Sequence, residues 1–215
     1  MTRATQSVPS LRIAALAKAG TTALYPRNAI IYRQAEAADS VYYLEEGLVK
    51  IAVASPQGKY AVIGVLGPDT FFGEACVAGH AVRNATASTL IKSRLVHIRK
   101  TALLRLLRSD LSFAQQFTKH VARRAARVEE DVIDLLFNST ERRLARALLL
   151  LAALDEDSDS SSVLDRITHQ ILAEMVGTSR PRISDFLSKF RRQGFISERA
   201  PLRVHSSLAK VMLED

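Results

Sequence analysis

The chain has 215 residues, of which 47% are hydrophobic and 24% charged, and its 30 basic and 22 acidic side chains give a formal net charge of +8. This composition supports a folded core, excludes disordered and collagen-like classes, and fits a polyanionic partner. The single cysteine, Cys76, excludes an internal disulfide, a zinc site built on several thiolates and a four-thiolate iron–sulfur cluster.

Apolar runs in the sequence are short. The longest, residues 147–154, falls far below the roughly 20 residues of a membrane helix, and the N-terminal patch at residues 13–17 is too small for a signal-peptide core. We therefore expect a cytoplasmic protein without a membrane partner.

Residues 22–98 predict β structure, preceded by a short helix near residues 10–19. Short runs rich in β-branched and aromatic residues recur, with turn signals about every 8–12 residues, as in a sandwich or barrel-like roll. The runs are residues 41–44, 48–53, 60–66 and 95–98, and the turns are Gly47, Pro56-Gln57-Gly58 and Gly67-Pro68-Asp69. We assign residues 1–109 to this first domain.

Residues 110–137 contain neither glycine nor proline and predict one long helix. Apolar or small residues recur there in alternating steps of four and three, the heptad pattern of a two-stranded coiled coil. The predicted dimer seam is Ala114, Thr118, Val121, Ala125, Val128, Val132 and Leu135. A second apolar set, expected to face the chain's own roll, is Phe113, Phe117, Ile133 and Leu136. The alternative is one wide stripe that faces the core.

A hinge is expected near residues 137–138, where a second domain, residues 138–215, begins. Asn138 and Glu141 resemble a capping box, so the next helix is expected to start after Asn138. The four acids and four serines of residues 155–162 predict an exposed loop.

The segment from Ile167 to Ile196 predicts a helix-turn-helix. Thr168 can cap a short first helix, and Gly177 can adopt the positive φ of a tight turn between helices. Thr178 can cap the second helix, with Pro181 in its first turn. The apolar face of that helix is Ile183, Phe186, Leu187 and Phe190.

The opposite face of the second helix is rich in hydrogen-bond donors and predicts a DNA-binding surface. Arg180, near the helix N-terminus, is expected to contact guanine O6 and N7. The full predicted set is Arg180, Arg182 and Ser179 as base readers, Thr168, His169 and Gln170 on phosphates, and Ser184 and Lys189 beside them. Two β runs, residues 194–196 and 202–205, predict the wing of a winged helix.

Two motifs resemble those of the Crp–Fnr family of bacterial transcription regulators. FFGEACVAGHAVRNATA, residues 71–87, is similar to the family's phosphate-binding cassette, and Ser179-Arg180 opens a recognition helix. The resemblance runs from about Leu24 to Val204. It implies an α+β fold: an N-terminal double-stranded β-helix (jelly-roll) sensor, a long dimerisation helix and a C-terminal winged helix-turn-helix.

The resemblance also implies a small effector in the β-roll, a cyclic nucleotide such as cAMP or cGMP. Gly73 would let backbone N–H groups approach its phosphate, Arg83 would add a charge-assisted contact, and Glu74 would accept from the ribose. The implied effector-binding set is Gly73, Glu74, Arg83, Asn84, Arg124, Val128 and Glu129. Asn84, Val128 and Glu129 replace hydroxyl residues of the cAMP-binding members, and Glu129 could accept from guanine instead.

Together these features predict a homodimer that reads a pseudo-palindromic site in double-stranded DNA under effector control, with RNA polymerase as a candidate partner. Two alternatives stay open: an effector-independent regulator whose roll is a scaffold, and a cyclic-nucleotide module that regulates a partner protein. No nucleophile–base constellation or metal-ligand cluster stands out, so we expect neither an enzyme nor a metal site. His80 and Cys76 are too isolated to favour a haem sensor.

Overall fold

A computed structural model describes residues 16, 18–154, 163–197 and 202–212. The predicted loop at 155–162 and most of the predicted helix at 10–19 lie outside this part of the chain. Contacts divide the chain into two compact units: the first holds the described residues up to Val53 and Val65–Ala126, and the second holds Ala54–Gly64 and those from Arg127 onward. The predicted domain limits at residues 109 and 137 stay a prediction.

Within the described residues, eight strands form the β-roll. They are β1 (Thr21–Tyr25), β2 (Ile30–Tyr32), β3 (Ser40–Glu46), β4 (Val49–Ala54), β5 (Tyr60–Leu66), β6 (Thr70–Phe72), β7 (Thr86–Thr89) and β8 (Ser93–Arg99). The strand order is β1-β8-β3-β6 in one sheet and β2-β7-β4-β5 in the other. The predicted strand runs and their turns are confirmed, and β1, β2, β6 and β7 are additional.

Alternation along β3 explains how the first unit builds two core clusters. Tyr42 and Leu44 point into the roll, where they join Phe72 and Leu95 in one cluster. The intervening Val41 and Tyr43 point to the other face of the sheet, where a second cluster forms with the helices that follow. This period of two is what a strand buried on both faces requires.

Six helices follow the roll in the described chain: α1 (Lys100–Ser109), α2 (Leu111–Phe137), α3 (Thr140–Ala153), α4 (Val163–Arg166), α5 (His169–Val176) and α6 (Arg180–Arg192). The predicted long helix is therefore α2, and Asp110 caps it by accepting from the Phe113 N–H at 2.9 Å. Among the described residues, none of these helices is long and apolar enough to span a membrane.

The second apolar set predicted on α2 is only partly buried. Phe113 and Phe117 are buried in the second core cluster, as expected. Ile133 and Leu136 were expected to face the roll too, but they are 56% and 68% exposed within the single chain. Both residues belong to the second unit, and the helical period defines two stripes without saying how far along the helix each one is covered.

Helix α3 begins one residue later than the sequence predicts. Ser139, rather than Asn138, is the N-cap of α3, and its hydroxyl accepts from the Arg142 N–H at 3.3 Å. Asn138 still belongs to the end of α2, since its N–H bonds to the carbonyl of Asp134 and its Nδ2 donates to Asp134 Oδ1 at 2.7 Å. Ser139 offers the same capping chemistry as Asn138. Because Asn138 is bonded to the end of α2, Ser139 becomes the N-cap of α3.

An ionic cluster fastens α2 to α3 across this connection. Arg146 of α3 lies 3.1 Å from Glu130, 3.3 Å from Asp131 and 3.6 Å from Asp134, all on α2. The Arg146 side chain is largely buried, and burial raises the pKa of Asp131 although the arginine opposes the shift. Such a network holds the end of α2 against the start of the second domain more firmly than an isolated surface pair would.

Candidate effector and DNA-binding sites

The cassette predicted at residues 71–87 forms a tight turn at Gly73. This residue has φ of +78° and begins the short 3-10 helix Glu74–Cys76. A Cβ at this position would come within 2.7 Å of Arg83 Nη1, so only glycine combines this backbone conformation with the close approach of the arginine. The sequence motif thus brings Gly73 and Arg83 together, as the resemblance implies.

Arg83 is a buried cation held by neutral groups. The residue is only 5% exposed, and it donates from Nη1 to the Gly73 carbonyl at 3.1 Å and from Nη2 to Ser40 Oγ at 2.8 Å. Nε is buried and has no hydrogen-bond partner among the described residues. Within the described residues no carboxylate pairs with this guanidinium. Since a buried charge is costly unless it is paired, these contacts suit an arginine that receives an anion.

Aromatic rings form the apolar side of the Arg83 environment. The guanidinium carbon lies 4.3 Å from the centroid of the Tyr32 ring and 5.7 Å from that of Tyr42, which stacks on Phe72. Burial raises the pKa of Tyr32 to about 12, so its hydroxyl stays neutral and supplies no counter-charge. The rings hold the arginine by cation–π attraction and bring no negative charge to it.

Glu74 points to α2 instead of to Arg83. Its carboxylate lies 3.2 Å from Arg124 Nη1, which also donates to the Phe71 carbonyl at 3.4 Å. The same carbonyl is 3.1 Å from His120 Nε2, and burial lowers the pKa of His120. An ion pair between Glu74 and Arg83, which an effector-free roll would use, is absent among the described residues. The cassette is therefore joined directly to the long helix.

The remaining predicted effector residues are exposed. Asn84 has its Nδ2 3.5 Å from His80 Nδ1. Val128 and Glu129 lie on the part of α2 that belongs to the second unit. Sequence reasoning missed Ser40, Tyr32 and His120, which come from β3, β2 and α2, because no local motif marks them as neighbours of the cassette.

The helix-turn-helix forms where the sequence predicts it, with one change of cap. Thr168 caps α5 by accepting from the Ile171 N–H at 3.2 Å, and Gly177 takes φ of +67° in the turn. Ser179, not Thr178, is the N-cap of α6. Thr178 was expected there, but its N–H bonds back to the Ala173 carbonyl at 2.9 Å and so completes the end of α5.

The predicted phosphate contacts and the main base reader lie together. Thr168, His169, Gln170 and Arg180 line an open depression of about 440 Å³. His169 Nδ1 is 3.0 Å from Ser184 Oγ, a contact that links α5 to α6, and burial together with the cations Arg191 and Arg180 lowers the pKa of His169. An uncharged histidine at this position hydrogen-bonds without adding charge.

The other predicted DNA contacts have defined surroundings. Ser179 and Arg182 are exposed, and the Arg182 guanidinium lies 5.7 Å from the centroid of the Phe186 ring. Lys189 pairs with Glu141 of α3 at 2.7 Å, so its charge is already engaged within the chain. Of the wing, the antiparallel bridge between Ile196 and Val204 is present, and the turn between its strands lies outside the described residues.

Comparisons with known proteins agree with both halves of the chain. Residues 23–110 match the cyclic nucleotide-binding domain and residues 142–206 the Crp-like helix-turn-helix domain. The CRP-like cAMP-activated global transcriptional regulator of Mycobacterium tuberculosis is 29% identical over 195 residues, 89% of this chain and 86% of that protein. The cAMP-activated global transcriptional regulator CRP of Pasteurella multocida is 27% identical over 80% of this chain and 84% of that protein.

Solved structures share the fold. FixK2 from Bradyrhizobium japonicum has a TM-score of 0.77 at 18% identity and covers 91% of this chain and 97% of its own. TTHB099, a CRP-family transcriptional regulator from Thermus thermophilus, has a TM-score of 0.73 at 23% identity. The match covers 89% of this chain and 97% of TTHB099. At these identities the likeness concerns the fold alone.

A nucleotide-sensor β-roll, a long helix and a helix-turn-helix in this order define an effector-controlled, DNA-binding transcription regulator with an α+β fold. The two matching domains and the regulators to which the chain is related settle the family. The chain belongs to the Crp–Fnr family of bacterial transcription regulators, as its motifs predict.

Proposed function

We propose that this regulator binds a cyclic nucleotide, cAMP first, through the cassette around Arg83. The buried guanidinium with neutral partners and a free Nε carries the proposal, because a cyclic phosphate would supply the missing counter-charge. Gly73 leaves room for the phosphate, Glu74 accepts from the ribose, and Asn84 lies at the rim. The relatives from Mycobacterium tuberculosis and Pasteurella multocida are named as cAMP-activated, which supports cAMP ahead of cGMP.

The base of the nucleotide would meet Val128 and Glu129. Val128 offers no hydrogen bond to adenine, whereas the Glu129 carboxylate can accept from the two N–H groups of guanine. Phosphate and ribose contacts are common to both nucleotides, so cGMP is retained as the second candidate effector.

The contacts between the cassette and α2 provide the route from effector to DNA. A ribose hydroxyl at Glu74 competes with Arg124 for the carboxylate. A shift of Phe71 changes the 3.1 Å contact between its carbonyl oxygen and His120 Nε2. Both Arg124 and His120 lie on α2, which runs without interruption to the junction that Arg146 fastens. We infer a two-state helix whose arrangement the nucleotide biases.

At the DNA end, the regulator acts as a homodimer through the α2 seam and reads a pseudo-palindrome with half-sites about 34–36 Å apart. Thr168, His169 and Gln170 hold phosphates, while Arg180 reads bases. This role implies RNA polymerase as a further partner. It also implies that the regulator is located in the cytoplasm.

Selection of genomic DNA fragments by the full chain, with cAMP, with cGMP and without nucleotide, tests the function directly. We expect cAMP to enrich fragments that share one pseudo-palindromic site at least tenfold. Equal enrichment in all three arms would support the alternative of a scaffold roll. Nucleotide binding without enrichment of any fragment would instead favour a module that regulates a partner protein.

Arg180→Ala is expected to lower discrimination against a substituted guanine in the half-site by about 1–3 kcal/mol, because a bidentate contact to O6 and N7 is lost. Competition binding with single-base variants of the selected site measures this. Arg192→Ala removes the same charge from the other end of α6 and should weaken all sequences alike. If Arg180→Ala also weakened every sequence equally, the residue would be a phosphate contact.

A further inference from the structure

The outward row of α6 carries an unexpected charge. Ile183, Leu187 and Phe190 are fully buried, and helical geometry of about 100° per residue places the opposite row at Pro181, Asp185, Ser188 and Arg192. All four of these residues are exposed. Asp185 occupies the middle of the row, so a carboxylate stands on the face of α6 that points away from the protein.

The cations within helical reach of Asp185 on α6, Lys189 and Arg182, have other contacts. Lys189, one turn further along α6, is within helical reach, but its ammonium group pairs with Glu141 at 2.7 Å. Arg182, one turn before, turns its guanidinium over the ring of Phe186 at 5.7 Å. In the described part of the chain, Asp185 forms no ion pair. A free carboxylate on a DNA-facing helix weakens contact with every phosphate nearby.

Base amino groups compensate this cost, and of the two in the major groove, cytosine N4 and adenine N6, only N6 lies beside an acceptor of its own base, N7, that repels a carboxylate. A carboxylate accepts hydrogen bonds and donates none, and in the major groove aspartate and glutamate accept from the N4 amino group of cytosine. The side chain repels a guanine edge, which presents the acceptors N7 and O6. Arg180 and Asp185 are five residues apart, about 7.5 Å along the axis or about two base-pair steps.

We infer that Asp185 is a specificity-determining residue that selects a cytosine about two base pairs from the guanine read by Arg180. The inference rests on the proposed placement of α6 in the major groove. Asp185 lowers affinity for DNA in general and restores it only where an amino group meets the carboxylate. The regulator thus rejects sites that match Arg180 alone.

The test compares the full chain with Asp185→Ala and Asp185→Asn, in selections from a random-sequence duplex library with and without cAMP. Both substitutions remove the same charge from an exposed position, so each controls for the general electrostatic effect of the other. Binding titrations on duplexes that carry each of the four bases at the candidate position then measure the preference.

We expect the full chain to prefer cytosine there by about five- to a hundredfold. Asp185→Ala should bind all four bases within about twofold and bind random duplex more tightly, and Asp185→Asn should shift the preference to adenine, which asparagine contacts through N6 and N7. The same base profile in all three proteins would overturn the inference, even if overall affinity rose. A full chain that enriches no duplex would overturn the proposed function itself.

Discussion

Arg83→Leu is expected to abolish cyclic nucleotide binding by the β-roll. The phosphate would enter a buried environment in which Arg83 is the cation that faces it, and leucine would leave that anion unpaired. Removal of one partner of a buried charge pair costs about 3–5 kcal/mol, which is more than a hundredfold in the dissociation constant. The loss should affect cAMP and cGMP equally, because it concerns the phosphate that they share.

Isothermal titration calorimetry of both nucleotides against the full chain and the variant measures the effect. Arg83 also holds Gly73 and Ser40, so thermal unfolding must show that the variant remains folded, and Arg83→Lys provides a second test that keeps the charge. Arg94→Leu, which removes an exposed pair with Glu46 from the same roll, should bind normally. Unchanged heat with Arg83→Leu would remove Arg83 from the site, and no heat with the full chain would favour the scaffold alternative.

Local patterns in the sequence were sufficient for the elements that position the sites. Turn residues such as Gly58 separate strand runs that are long enough to be recognised by their composition. The 27 residues of α2 contain no glycine or proline and therefore predict a helix. Strands of three residues, such as β2 and β6, are too short for any period to emerge. Long, regular elements were therefore predicted and the shortest strands were not.

Errors of one residue arose where neighbours share the same chemistry. Asn138 and Ser139 can both cap α3, as Thr178 and Ser179 can both cap α6, and the choice depends on where the preceding helix releases its last N–H group. Propensity alone does not contain that information, because it comes from a hydrogen bond back to the previous helix.

Partners distant in sequence were the part that no motif could provide. The cassette motif predicted Gly73 and Arg83, but Ser40 precedes Arg83 by 43 positions and meets it only through the roll. In the sequence, the acids that contact Arg146 have the pattern of a solvated helical face. Their role becomes visible only in the structure, where α3 packs beside them. Such contacts depend on tertiary packing, which the pattern of a single segment does not encode.

Val121→Asp and Val132→Asp are expected to convert the regulator from a dimer into a monomer. Val121, Val128, Val132 and Leu135 of the seam are between 37% and 61% exposed in the single chain, an apolar stripe that a second copy would cover. Burial of each such side chain contributes about 1.5–3 kcal/mol. A carboxylate in its place loses this contribution and must be desolvated, and two-fold symmetry introduces every substitution twice.

Sedimentation equilibrium at micromolar concentration should show a dimer for the full chain and a monomer for both variants, with affinity for the pseudo-palindrome lower by more than a hundredfold. Ala126→Asp adds the same charge to an exposed position of α2 outside the seam and should remain dimeric. Because the heptad places Ala126 away from the partner helix, this control separates loss of the seam from a general loss of helix stability. Dimeric Val121→Asp and Val132→Asp proteins would mean that the exposed stripe of α2 has another role and that the chain dimerises elsewhere.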